Sequence, residues 1–113
     1  MDELFEISED VSDRACVVTV AGEVDVASAP TLRSRLEAAI DRGTPLVVVD
    51  LLSVTFIDST GLGVLIGASK RVDNSGGTMH LVVTEPRILK LFEITGLMDL
   101  FSIVPSVEQA VGP

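Results

Sequence analysis

Pro45-Leu46-Val47-Val48-Val49-Asp50-Leu51 is apolar at odd and even positions alike, broken only by Asp50. An extended chain sends successive side chains to opposite faces. A run that is apolar on both faces therefore reads as a central strand covered from both sides. Toward the C-terminus a loop leads to Val54-Thr55-Phe56-Ile57 and then to Asp58-Ser59-Thr60-Gly61-Leu62-Gly63. A helix begins there and runs to about Asn74, with Leu62, Leu65, Ile66, Ser69 and Val72 at the spacing of a buried stripe. Ser75-Gly76-Gly77 stops it, and Thr78 to Val83 reads as the next strand. Thr84-Glu85-Pro86 opens a third helix carrying Ile88, Leu91 and Phe92 and closed by Gly96. Leu97 to Phe101 leaves room for one more turn, and Ile103-Val104 for a short edge strand. Ser106-Val107-Glu108-Gln109 has the spacing of a capping box that starts a final short helix.

Toward the N-terminus, Ser28 reads as a helix N-cap, Pro30 falls in the first turn and Gly43 closes the end. Leu32, Leu36, Ala39 and Ile40 repeat at helical spacing between them. Ala15 to Ala21 is a β-branched run ended by Gly22; Leu4, Phe5 and Ile7 mark an edge strand. The polar stretch from Glu9 to Asp13 reads as the turn of a hairpin joining the two. Strand and helix alternate after residue 22. The chain is thus expected to be one α/β domain over residues 1–113, with a mixed four- to five-stranded sheet, an N-terminal hairpin and about four helices.

Lys plus Arg is 8 and Asp plus Glu is 17 among 113 residues, a formal net charge of −9. A nucleic-acid binder needs cations to replace counterions, and docking on anionic lipid needs a basic patch, so neither partner is expected. Acidic surface favours a basic partner instead. Asp2, Glu3, Glu6, Glu9, Asp10 and Asp13 all precede the first cation, Arg14, and read as a solvated edge strand and turn. The single cysteine, Cys16, forms no internal disulfide and sits in an apolar run as a small buried hydrophobe, which suits a reducing compartment. The acidic start lacks the apolar region of a secretory leader, and no run approaches the roughly 20 apolar residues of a membrane span. A cytoplasmic protein is expected. Nothing in the sequence demands more than a monomer.

The stretch from Asp58 to Gly67 departs from ordinary helix composition. Glycine in a helix interior costs about 1 kcal/mol against alanine, yet Gly61, Gly63 and Gly67 all lie on the second helix. Gly63 and Gly67, four apart, fit a helix lying tight against the sheet. Gly61 and Gly63, in the first turns, equally fit a helix end left open to a partner. Asp58 reads as the N-cap, which puts the Ser59 hydroxyl near solvent at the first helical position, followed by Thr60. A phosphate on Ser59 would meet unpaired amides and the positive end of the helix dipole. It would add about −1.5 to −2 of charge at pH 7. The fold should tolerate that, while a partner packed on the helix tip would face a new dianion. The plainer reading keeps Asp58 and Ser59 as a helix cap and nothing more.

Three catalytic or ligand-binding readings find little support. Ile57-Asp58-Ser59-Thr60-Gly61 has the serine and final glycine of a nucleophile elbow, but Ile57 replaces the first glycine. The one histidine, His80, falls in the middle of a predicted strand, where a lone polar position is the simpler account. Gly61, Gly63 and Gly67 approximate a dinucleotide fingerprint, with Glu85 after a later strand, but Asp58 and Ser59 occupy the turn where pyrophosphate would lie. Glu23, Asp25, Asp50 and Asp58 belong to no clustered ligand set, so neither a metal nor any other cofactor is expected.

Phe56-Ile57-Asp58-Ser59-Thr60-Gly61-Leu62-Gly63 resembles the signature of the bacterial anti-sigma factor antagonists, single-domain STAS proteins. Gly22-Glu23-Val24-Asp25 with Ser28-Ala29-Pro30-Thr31-Leu32 resembles that family's first block. The stretch from Arg87 through Phe92 to Leu97 resembles its late helix. The blocks occur in family order along nearly the whole chain. The resemblance implies a STAS-like fold and a regulatory protein rather than an enzyme. It implies that Ser59 is the phosphorylated residue, with Asp58, Thr60, Gly61, Leu62 and Gly63 around it, and that Glu23, Asp25 and Ser28 belong to the partner-binding face. The implied partners are an anti-sigma factor with serine kinase activity, which the unmodified protein binds so that a sigma factor is freed, and a PP2C-type phosphatase that restores the binding form. Two other functions stay open: a STAS interaction module of a transporter complex or stress-signalling scaffold, and a small nucleotide-binding protein. Fold alone does not separate them.

Overall fold

A computed structural model describes residues 4–112. Asp2 and Glu3 of the acidic start lie outside the described residues. The elements in chain order are β1 (Phe5–Val11), β2 (Ala15–Val24), α1 (Ala29–Asp41), β3 (Leu46–Ile57), α2 (Ser59–Asn74), β4 (Thr78–Val82), α3 (Pro86–Ile94), β5 (Ser102–Val104) and α4 (Val107–Val111). The strands form one mixed sheet in the order β1-β2-β3-β4-β5, with β1 antiparallel to β2 and every other pair parallel. The expected α/β architecture, hairpin and helix complement are all present.

Sequential parallel strands joined by right-handed crossovers place every connecting helix on one face of the sheet. The core follows that rule. Val18, Val20, Val47, Val49, Leu51 and Leu81 project from the strands against Leu32 and Leu36 of α1, Leu65 and Val72 of α2, and Ile88 and Phe92 of α3. Among the described residues α4 is the helix that covers the second face, setting Ala110 over Val48 and Val82 with Val17 and Val104 alongside. Val47, Val48 and Val49 are all buried, as expected of a strand covered from both sides. Cys16 is fully buried, and burial pushes its thiol pKa up. No helix among the described residues is long and apolar enough to cross a membrane.

Three local expectations need correction. β1 continues through Glu9, Asp10 and Val11, and the turn tightens to residues 12–14, where Ser12 N–H donates to Ala15 O at 2.9 Å. Glu6, Ser8 and Asp10 are exposed because they alternate with the inward Phe5, Ile7 and Glu9, which gives a solvated strand the look of a turn. Glu9 reaches α1, where the Arg35 guanidinium hydrogen-bonds its carboxylate and holds it below the usual carboxylate range. β3 is one strand of 12 residues and not two pieces joined by a loop. Its pairing with β2 shifts register between Thr19 and Ala21 and again between Gly22 and Glu23, so bulges absorb the polar break around Leu52 and Ser53.

β2 also runs through Gly22 to Val24 instead of stopping there. Gly22 adopts φ +95°, and a Cβ built on it would lie 1.7 Å from the Leu4 carbonyl oxygen. The same oxygen accepts a hydrogen bond from Glu23 N–H at 2.6 Å. Gly22→Ala therefore combines left-handed strain, about 1–2 kcal/mol, with a backbone collision. Gly76→Ala, at φ +82° in open space, carries the strain alone. Urea unfolding should show a loss above about 2 kcal/mol for Gly22→Ala and a smaller one for Gly76→Ala. Equal losses would mean that the start of β1 simply moves aside.

Candidate functional site

The end of β3 delivers the site. Val24 pairs with Ile57, and Asp58 N–H extends that ladder by donating to Val24 O at 3.1 Å. Asp58 stays extended, at φ −106° and ψ −174°, while its carbonyl accepts from Leu62 N–H at 3.0 Å. Its Oδ1 accepts from Gly61 N–H at 3.0 Å, the geometry of an N-cap. Ser59 and Thr60 begin α2 and are exposed. Neither hydroxyl, nor the amide of either residue, has a hydrogen-bond partner among the described residues. The tip thus displays a hydroxyl beside two free N–H groups and the positive end of a 16-residue helix.

A second loop lies against this tip. Asp25 Oδ1 accepts from Ala27 N–H at 3.0 Å and Ser28 N–H at 3.1 Å, closing an Asx turn. Ser28 Oγ donates to Glu23 O at 2.9 Å and accepts from Asp25 N–H at 2.9 Å. Ser28, only 8% exposed, stands at the N-cap position of α1 as expected, but its side chain makes no capping bond to the helix. It holds the turn from inside and presents little surface to solvent. The turn pushes Val26 out to 70% exposure. Val26, Ala29, Pro30, Arg33 and Thr60 line a depression of about 240 Å³ between the turn and the helix tip. Glu23 and Asp25 are half-buried beside it. The structure therefore gathers Asp58, Ser59, Thr60 and the 23–28 turn at one end of the sheet.

The glycines divide differently from expectation. Gly61 makes the close approach: a Cβ there would lie 2.6 Å from Val24 Cγ1 and 2.8 Å from Ile57 Cγ1. Gly63 and Gly67 are exposed, and an added Cβ at either meets nothing within 4 Å. They floor a groove of about 360 Å³ between α1 and α2, with Leu36, Val64 and Ala68. Leu62 is buried beneath the tip, and the buried stripe of α2 passes through Val64 and Ala68, leaving Ile66 only half-buried.

His80 sits on β4 with Nδ1 2.7 Å from Ser102 Oγ, and so serves a strand edge and not Ser59. Glu85 caps α3 by accepting from Arg87 N–H. Asp50 accepts from Leu52 N–H at the bulge in β3. Among the described residues no three His, Cys, Asp or Glu side chains converge as metal ligands would. The exposure of Val26 was not legible in sequence. The signal that could have found the Asx turn behind it is the Asp25-x-x-Ser28 spacing.

Residues 6–110 match the profile of the STAS domain. The chain is 43% identical to the anti-sigma-B factor antagonist of Bacillus subtilis over 94 residues, covering 83% of this chain and 85% of that protein. It is 35% identical to the anti-sigma-B factor antagonist of Staphylococcus aureus over 104 residues, covering 92% and 96%. The crystal structure of an anti-sigma factor antagonist from Mycobacterium paratuberculosis superposes with a TM-score of 0.86 at 28% identity, covering 94% of this chain and 90% of that one.

Gly61→Ala is expected to destabilise the protein, because its methyl must displace Val24 or Ile57 in the core. Gly63→Ala relieves a helix penalty of up to about 1 kcal/mol with no collision, and should stabilise by that order. Urea midpoints of the two variants measured together check the division. A stable Gly61→Ala would contradict the tight seat of α2.

Proposed function

The chain belongs to the STAS domain family, and from that premise we propose that it is an anti-sigma factor antagonist switched by phosphorylation of Ser59. The unphosphorylated form binds an anti-sigma factor with serine kinase activity and frees a sigma factor, and the phosphorylated form does not bind. A PP2C-type phosphatase resets the protein. It works in the cytoplasm as a monomeric binding module and catalyses no reaction itself.

One observation carries the reading: Ser59 Oγ is exposed and unpartnered at the first turn of α2, directly after an N-cap that already holds the helix end. Neither hydroxyl nor cap needs to move for phosphate to be added. The free amides of Ser59 and Thr60 and the helix dipole favour a dianion there by about 0.3–2 kcal/mol. The modification is accordingly neutral or better for the fold. Its effect falls on the outer surface, where Asp58, Asp25 and Glu23 already supply negative charge. A partner fitted to the neutral tip then meets a further −1.5 to −2, roughly, and juxtaposed like charge costs several kcal/mol of binding.

Pull-down from source lysate with wild-type and Ser59→Asp baits, read by mass spectrometry, tests this. Wild type should capture a kinase-fold anti-sigma factor, and Ser59→Asp should lose it. Equal capture of a transporter or scaffold by both baits would reduce Ser59 to a helix cap and favour a STAS interaction module instead.

A further inference from the structure

The second face of the sheet is only half covered. α4 occupies the part built by Val17, Val48, Val82 and Val104. Beyond it, on β1, β2 and the far half of β3, no helix or strand among the described residues lies over the sheet. A shallow hollow of about 390 Å³ lined by Glu6, Ile7, Ser8, Thr19 and Ala21 opens there. The solvated face of a sheet normally reads polar, but this one carries two large apolar side chains, Leu52 at 42% exposure and Phe56 at 48%. Val54 and Ile57 both face the core, and the bulge that skips Thr55 between them resets the alternation, so Phe56, paired with Glu23 and next to Ile57, lies on the face away from α1–α3.

The cations are confined almost entirely to one side, where carboxylates pair with several of them. Every Lys and Arg except Arg14 lies on α1, its C-cap, α2 or α3. Glu6, Asp10, Glu23 and Asp50 stand on the open face, with no cation among the strand residues around them. The open face is also continuous with the helix tip. Phe56 is the register partner of Glu23, one step before the Val24–Ile57 pair whose ladder Asp58 extends.

We propose that the partner that reads Ser59 also lays a basic, apolar-faced segment across this open half-face, anchored on Phe56 and Leu52. The proposal rests on the partner-switching reading above and names the second part of that contact. A second copy of the chain would bring carboxylates against carboxylates. Nucleic acid and anionic lipid would bring phosphate. A cationic protein segment with an apolar stripe answers both features of the surface, since aromatic anchors within a charged rim carry most interface energy.

The test is surface plasmon resonance with the purified anti-sigma factor captured by wild type, against wild type, Ser59→Asp, the pair Phe56→Ser/Leu52→Ser, and the pair Glu6→Gln/Asp10→Asn. Circular dichroism melts check folding. Amide shifts of Thr19 and Leu52 in the wild-type complex give a readout that needs no variant. The apolar pair should weaken binding about tenfold or more, the charge pair should flatten the salt dependence, and both amides should shift on binding. Loss with Ser59→Asp alone, with both pairs binding as wild type and the two amides unmoved, would overturn the second contact and leave the switch intact. Failure of wild type to bind any anti-sigma factor would overturn the switch, and this contact with it.

Discussion

The contact of Gly61 with Val24 and Ile57 is the constraint on which the display of the helix tip depends. With no Cβ at Gly61, the first turn of α2 can sit on the last pair of β2 and β3 at distances that a methyl group would forbid. That seat fixes the helix start to the sheet end. The Asp58 N–H joins the strand ladder on one side, and the Asp58 carboxylate bonds back to Gly61 on the other. Between the two, Ser59 and Thr60 have nowhere to point but outward. A fixed scaffold then presents an exposed hydroxyl, and the proposed phosphate there would change the outer surface without asking the core to repack.

Topology explains why the site is one-sided. Adding parallel strands in sequence order with crossovers of one hand puts α1, α2 and α3 on a single face, and nearly all the cations ride on those helices. Glu9 excepted, which turns inward to Arg35, the carboxylates of β1, β2 and β3 lie on the other face, where α4 is too short to cover them. The 23–28 turn sits where the crossover from β2 to α1 begins, and the Asp25–Ser28 hydrogen bonds hold it beside the α2 tip. Ser59, the turn and the open face therefore meet at one end of the sheet as a consequence of strand order.

Much of this was legible in sequence, for identifiable reasons. Val47, Val48 and Val49 announced a strand buried on both faces, and the Gly and Pro punctuation bounded the helices. Asp58 before Ser59 announced a capped, exposed hydroxyl. What was lost was lost to ambiguity of period and side. Glu9-Asp10-Val11 is polar enough for a turn, yet alternates correctly for an edge strand. The break at Leu52-Ser53 looked like a loop because a bulge has no composition of its own. Glycine spacing says that room has been made, but not whether the room faces the sheet, as at Gly61, or solvent, as at Gly63 and Gly67. Ser28 is a good cap residue by type, but Glu23 and Asp25 offered its hydroxyl better partners.

The proposed switch, in which phosphate on Ser59 acts on the surface, leaves the fold alone. Its most direct test is calorimetric titration of the purified anti-sigma factor with this protein before and after stoichiometric Ser59 phosphorylation, with ¹⁵N amide spectra of both forms recorded first. The expected result is amide shifts confined to about residues 56–66 together with a loss of affinity on the order of a hundredfold. Equal affinities of the two forms, or shifts spreading into β1 and α4, would contradict it.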